Sequence, residues 1–153
     1  MKKLLIYADA SVIGGCEDVE FNEGSRLLWQ CLIEGRHDLV LSTLTLAELK
    51  GAPDAVRKWI DRVPDAHRIM IAESPAVEEL ADAYLQRGVV GPGSRADAMH
   101  VALATVGRVD VLVSWNFRHI VNLGRIRRFN AVNVECGYAM LDIRTPKEVL
   151  EYE

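Results

Sequence analysis

Cysteine is scarce in this sequence of 153 residues: only Cys16, Cys31 and Cys136 are present. They are odd in number, widely spaced and form no CxxC pair, which argues against a disulfide framework or a zinc site. A reducing, cytoplasmic compartment is expected. Long apolar runs are missing too, and no stretch approaches the ~20 residues a membrane span requires. Behind Met1-Lys2-Lys3 the apolar run lasts only from Leu4 to Ala8 before Asp9 breaks it. That is short of the roughly seven residues of a signal-peptide core. Repeats, low-complexity tracts and linker-like stretches are absent, so one domain over residues 1–153 is expected. A chain of this size buries roughly two-thirds of its unfolded surface. Acid is missing from one long stretch: between Val111 and Val134 there is no Asp or Glu, yet Arg118, Arg125, Arg127 and Arg128 fall there. The net charge of −4 speaks against general affinity for nucleic acid, but this local basic stretch does not.

What is present is a regular alternation of short apolar runs and helical patterns. Leu4–Tyr7, Asp38–Leu41, Arg68–Ile71 and Val111–Val113 read as strands, the first and last buried on both faces. Leu27, Leu28, Cys31 and Leu32 recur at helical spacing before a stop at Gly35. A short helix carries Glu48 and ends near Gly51, and another spans Ala55–Val63 before Pro64. Ser74-Pro75 opens a helix running to about Gly88. A glycine-rich loop leads to Ser94, the expected cap of a helix with Met99, Leu103 and Val106 on one side. A basic helix is expected from about His119, and Thr145-Pro146-Lys147-Glu148 is a capping box. Strands alternating with helices predict an α/β fold, a three-layer α/β/α sandwich around a central parallel sheet.

Four residues fall where such a fold gathers its chemistry. Asp9 and Asn116 each follow an apolar strand, and Glu48 and Asp97 are each placed in the first turn of a helix. Strand ends and helix starts converge on the ligand-binding edge of an open α/β sheet. Carboxylates gathered there repel one another, and a hard divalent cation with oxygen ligands relieves the repulsion. Each residue also has a plainer reading. Asp9 could make an Asx-turn, and Asn116 could be a turn residue. Glu48 follows Thr45, and Asp97 follows Ser94, at capping-box spacing. Their co-occurrence in one topology is what favours chemistry. His100 and His119, beside Asp97 and Asn116, are expected to pack or to contact phosphate. Arg118, Arg125 and Arg128 are expected to hold a polyanion over the acids.

The runs Tyr7-Ala8-Asp9-Ala10-Ser11, Thr45-Leu46-Ala47-Glu48-Leu49, Arg95 to Ala102 around Asp97, and Leu112 to Phe117 around Asn116 together resemble a PIN-domain ribonuclease. The Ser114 to Ile120 run is similar to that of a VapC-type toxin subgroup. The resemblance covers residues 3 to about 143. It implies an endoribonuclease dependent on Mg²⁺ or Mn²⁺, frequent homodimers, and inhibition by a cognate antitoxin protein. It places Asp9, Glu48 and Asp97 at the three acidic positions. The fourth, commonly aspartate, is Asn116 here, which should favour one ion over two.

The expected mechanism has Asp9 and Asp97 holding the ion while Glu48 and Asn116 orient its hydration. RNA is cut by in-line attack to leave a 5′-phosphate and a 3′-hydroxyl. Two other readings compete. A phosphatase with Asp9 as nucleophile lacks an acid two residues on, where Ser11 stands. A catalytically inactive PIN-like scaffold, binding RNA or a protein partner, is suggested only by Asn116. An exposed apolar groove near Trp29 or Trp59 is a further expectation, as the seat of a partner's tail.

Overall fold

The computed structural model describes residues 2–151. Five strands form one wholly parallel sheet: β1 (Leu5–Ala8), β2 (Asp38–Ser42), β3 (Arg68–Ile71), β4 (Val111–Val113) and β5 (Asp142–Arg144). Their order across the sheet is β3-β2-β1-β4-β5. The chain therefore winds one way from β1 to β3, then returns to the other side of β1 for β4. The gap between the ends of β1 and β4 is the switch point, where an open α/β sheet leaves a crevice for ligands.

Helices cover both faces, and alternation along the strands explains why. Ile6 and Ala8 of β1 pack with Leu39, Leu41, Val111 and Val113 against α1 (Ala10–Gly15), α2 (Asn22–Ile33), α3 (Thr43–Leu49), α4 (Asp54–Asp61) and α8 (Pro146–Glu151). Tyr7, Val40, Leu112 and Ile143 point the other way, toward α5 (Pro75–Gln86), α6 (Arg95–Val106) and α7 (Leu123–Glu135). Side chains of period two on a sheet buried on both sides give two cores. A fully buried side chain such as Ile6 or Leu112 contributes about 1.5–3 kcal/mol. The expected three-layer α/β/α architecture is the observed one.

Several boundaries differ from the sequence expectations. The helix α1 directly after Asp9 and the strand β5 carry too few apolar residues to show a period of their own. Leu27, expected on the buried stripe of α2, is 53% exposed, whereas Leu28, Cys31 and Leu32 are buried. The helix α6 has no single apolar side: every residue from Ala98 to Thr105 is buried, because the sheet lies on one flank and α5 on another. The basic helix starts at Leu123 rather than His119, since Asn122 caps it by accepting from Arg125 N at 2.9 Å. The Thr145 capping box is present, with Thr145 N donating to Glu148 Oε1 at 3.0 Å and Glu148 N to Thr145 Oγ1 at 3.3 Å. No described helix is long and apolar enough to cross a membrane.

Candidate active site

Asp9 leaves β1 at the switch point and caps α1, accepting from Val12 N at 3.3 Å through Oδ1. Two hydroxyls close the rest of its carboxylate. Ser11 Oγ donates to Oδ1 and Ser114 Oγ to Oδ2, both at 2.6 Å. Each hydroxyl also accepts a backbone amide from the segment after β4: Trp115 N reaches Ser11 Oγ at 3.0 Å, and Asn116 N reaches Ser114 Oγ at 2.9 Å. Asp9 is thereby tied to the chain that carries Asn116. Only 4% exposed, its carboxyl is pushed up from the ordinary value chiefly by burial, while His100, Ser11, Ser114 and Val12 pull the other way.

Asp97 sits in the first turn of α6, half-buried, and Asn116 Nδ2 donates to its Oδ1 at 3.1 Å. The other end of the Asn116 amide is fixed because its Oδ1 accepts from His119 N at 3.0 Å. Asn116 therefore makes the turn its plainer reading describes and presents a donor, not an oxygen, to Asp97. Burial raises the Asp97 carboxyl as well. His119 and His100 lower it, and the charges of Asp9 and Glu48 raise it. That mutual field places the three acids in one electrostatic neighbourhood.

The capping-box readings of Glu48 and Asp97 do not hold. The cap of α3 is Ser42, whose Oγ accepts from Thr45 N at 3.1 Å, so Thr45 lies inside the helix and Glu48 falls in its second turn. Ser94 makes no side-chain cap, and its own amide goes to Gly91 O at 2.9 Å. Freed from capping, Glu48 meets His100: Nε2 donates to Glu48 Oε1 at 2.6 Å. His100 Nδ1 lies 2.7 Å from Tyr7 Oη. Sequence spacing hid this contact because Glu48 and His100 belong to helices on opposite faces of the sheet. Ser11 and Ser114 were likewise missed, although both lie in the runs that carry Asp9 and Asn116.

The arginines part company. Arg118 is exposed beside Phe117, next to the site. Arg125 and Arg128 instead donate to the carbonyls of Val89 and Gly88, pinning the loop before α6. Beside Ser11 and Asn116 lies a pocket of about 500 Å³, walled by Phe21 and Trp115. The two rings stack at 4.7 Å, and Phe117, 51% exposed, stands at the rim. Trp115 is wedged over Gly15 and Gly24, where any Cβ would collide with its ring. A groove of about 730 Å³ lies elsewhere, along β3, α3 and α4, and is lined by Leu46, Ile60, Ile69 and Met70. Trp29 is fully buried and donates to Trp59 O at 2.7 Å, so it lines no exposed groove.

Among the described residues no three His, Cys, Asp or Glu side chains stand together as a ready-made metal cage. Asp9 and Asp97 offer hard carboxylate oxygens, and burial disfavours the ionised form of both. That set suits Mg²⁺ or Mn²⁺, because Mg²⁺ keeps several waters and takes one or two carboxylates, and it does not suit zinc.

Solved structures match this architecture, one of them along nearly its whole length. A chain in the crystal structure of VapBC2 from Rickettsia felis, bound to a DNA fragment from their promoter, superposes with a TM-score of 0.59. The match covers 93% of this chain and 98% of that one. The fold is that of a PIN domain. At 12% identity the likeness to that PIN fold is one of architecture. No family profile matches the sequence, and no curated protein matches it.

Proposed function

We propose that this chain is a Mg²⁺- or Mn²⁺-dependent endoribonuclease of the PIN fold, acting in the cytoplasm as the toxin of a toxin–antitoxin pair. The observation that supports the reading is the set of bonds that joins Asp9, through Ser114 and Asn116, to Asp97 beside the switch point of the sheet, with the charges of Asp9 and Glu48 felt at Asp97. There, burial disfavours the ionised form of both Asp9 and Asp97, and the neighbouring acids add to it at Asp97, a cost that a cation would relieve. Asp9 and Asp97 would hold the ion. When bound, it supplies charge neutralisation on the phosphoryl oxygens and acidifies an attacking water. The protein's own parts do the positioning. Ser11 and Ser114 keep the Asp9 carboxylate from rotating, and Asn116 holds Asp97 without adding a fourth negative charge. That neutrality favours a single ion. Glu48, whose charge raises the Asp97 carboxyl, would orient the water that attacks in line. Arg118, exposed beside Phe117, is placed to take a backbone phosphate of the RNA. The fold shared with VapBC2 supports a protein antitoxin as partner, and a homodimer is proposed as the working form.

Purified protein incubated with total RNA should yield fragments bearing 5′-phosphates in Mn²⁺. It should yield none with chelator or as Asp97→Asn. Outer-shell partners of a metal are worth about 10–100-fold, so loss of the Asp97 carboxylate should exceed 100-fold. An Asp97→Asn protein as active as wild type would sink the assignment. RNA binding without cleavage, unchanged by chelator, would instead point to the non-catalytic scaffold.

A further inference from the structure

Neither Asp97 nor Glu48 is fixed by a backbone amide or hydroxyl; Asp97 is held by Asn116, and a glutamate on an exposed helical turn is free to swing. One side chain restrains it. His100, 3% exposed, lies between Glu48 Oε1 at 2.6 Å and Tyr7 Oη at 2.7 Å, its ring edge-on to Tyr7 at 67°. Tyr7 Oη in turn lies 2.7 Å from Ser42 Oγ, the cap of the helix that carries Glu48. The chain of contacts thus leaves α3 at Ser42, crosses β1 and α6, and returns to α3 at Glu48.

Counting protons gives this loop a direction. A carboxylate only accepts, so His100 Nε2 carries the hydrogen in the bond to Glu48. In the neutral ring Nδ1 is then an acceptor, and Tyr7 must spend its one proton there. Tyr7 Oη is left to accept from Ser42 Oγ at 2.7 Å or Thr45 Oγ1 at 3.4 Å, while Ser42 Oγ receives Thr45 N on a lone pair.

We propose that His100 is a positioning residue that fixes the Glu48 carboxylate for the nuclease reaction, its Nε2–H tautomer set by Tyr7 and Ser42. The role rests on the nuclease reading above and adds to it a residue that does not touch the ion or the RNA. It leaves Glu48 Oε2 available to water while Oε1 is held.

Two measurements test it separately. Long-range ¹H–¹⁵N spectra of the metal-free protein should show His100 protonated at Nε2 and bare at Nδ1, with Tyr7→Phe disturbing that pattern. A ring protonated only at Nδ1 would overturn the proposal, whether or not any RNA is cut. In cleavage assays His100→Ala should lower kcat about 10–100-fold with KM for RNA within about twofold, as for the loss of an outer-shell partner. His100→Gln, whose amide nitrogen can reach the Nε2 position, should recover much of the rate. His100→Asn, which reaches only the Nδ1 position, should not. Equal rates for the Gln and Asn variants, both folded, would assign His100 to packing and overturn the positioning role. A wild type that cuts no RNA would remove the nuclease reading, leaving the tautomer pattern to decide the loop.

Discussion

Asp9 and Asp97 carry the same group in one site, and the fold holds them in different ways. Asp9 is closed in by Ser11, Ser114 and Val12, while Asp97 receives one donor, the amide of Asn116. Asp9 is at once a helix cap and a candidate ligand, so its structural and chemical readings coexist. Asp97 has little structural work, because the cap it was expected to close is not made. The difference teaches that an acid at a sheet edge can be indispensable for two separate reasons, and that stability and activity must be measured apart.

The sharpest test of this contrast is the ion itself. Both carboxyls are raised above the ordinary value of 3.8, so their stabilising contribution is full below that pH and is lost as pH rises through their folded values. Without metal, replacing Asp97 by Asn should therefore gain stability relative to wild type as pH climbs from 4 to 8. Saturating Mg²⁺ should reverse the order. At a free ion concentration one hundred times Kd the wild type gains about 2.7 kcal/mol, and Asp97→Asn far less. Thermal melts with and without Mg²⁺ at pH 5 and pH 8 read this directly; a metal response equal at both pH values would break the picture.

Next in size is the split between the two acids in stability. Asp9→Ala removes a cap and the acceptor of the buried Ser114 and half-buried Ser11 hydroxyl protons, and should cost about 2 kcal/mol, or roughly 4–8 °C in Tm. Asp97→Ala should leave Tm unchanged or raise it. If both melted alike, the distinction between tied and untied acids would fall.

The smallest effect concerns the arginines, where the same contrast recurs. Arg118 is untied and should contribute to RNA binding, so Arg118→Ala should flatten the salt dependence of affinity by about 0.7 in the log–log slope. Arg125→Ala should leave that slope alone and cost about 1 kcal/mol of stability, because its partner is the Val89 carbonyl. Titrations of RNA at several salt concentrations distinguish the two.

Much of this was legible in the chain. Strands buried on both faces announce themselves as unbroken apolar runs, which is why β1 and β4, and with them Asp9 and Asn116, stood out. The Thr145 capping box needed only local spacing, and it is present. Glu48 and Asp97 had the same spacing, yet tertiary context gave them other partners, His100 and Asn116. Long-range hydrogen bonds leave no period in a sequence, so Ser114, His100 and the Arg125 tether could not be read from it. The strand β5, three residues with one buried, exists because β4 offers it an edge.

The bond from Ser114 to Asp9 spans 105 residues of chain, and the contact between Tyr7 and His100 spans 93. Protein synthesis delivers these partners in order, at about 5–20 residues per second. A nascent chain that has reached residue 110 already displays all three acids, but it has no β4 to seat beside β1 and no Ser114 hydroxyl to steady Asp9. The site is thus assembled late in the order of synthesis, and a growing chain stays unarmed until the stretch through Asn116 has emerged.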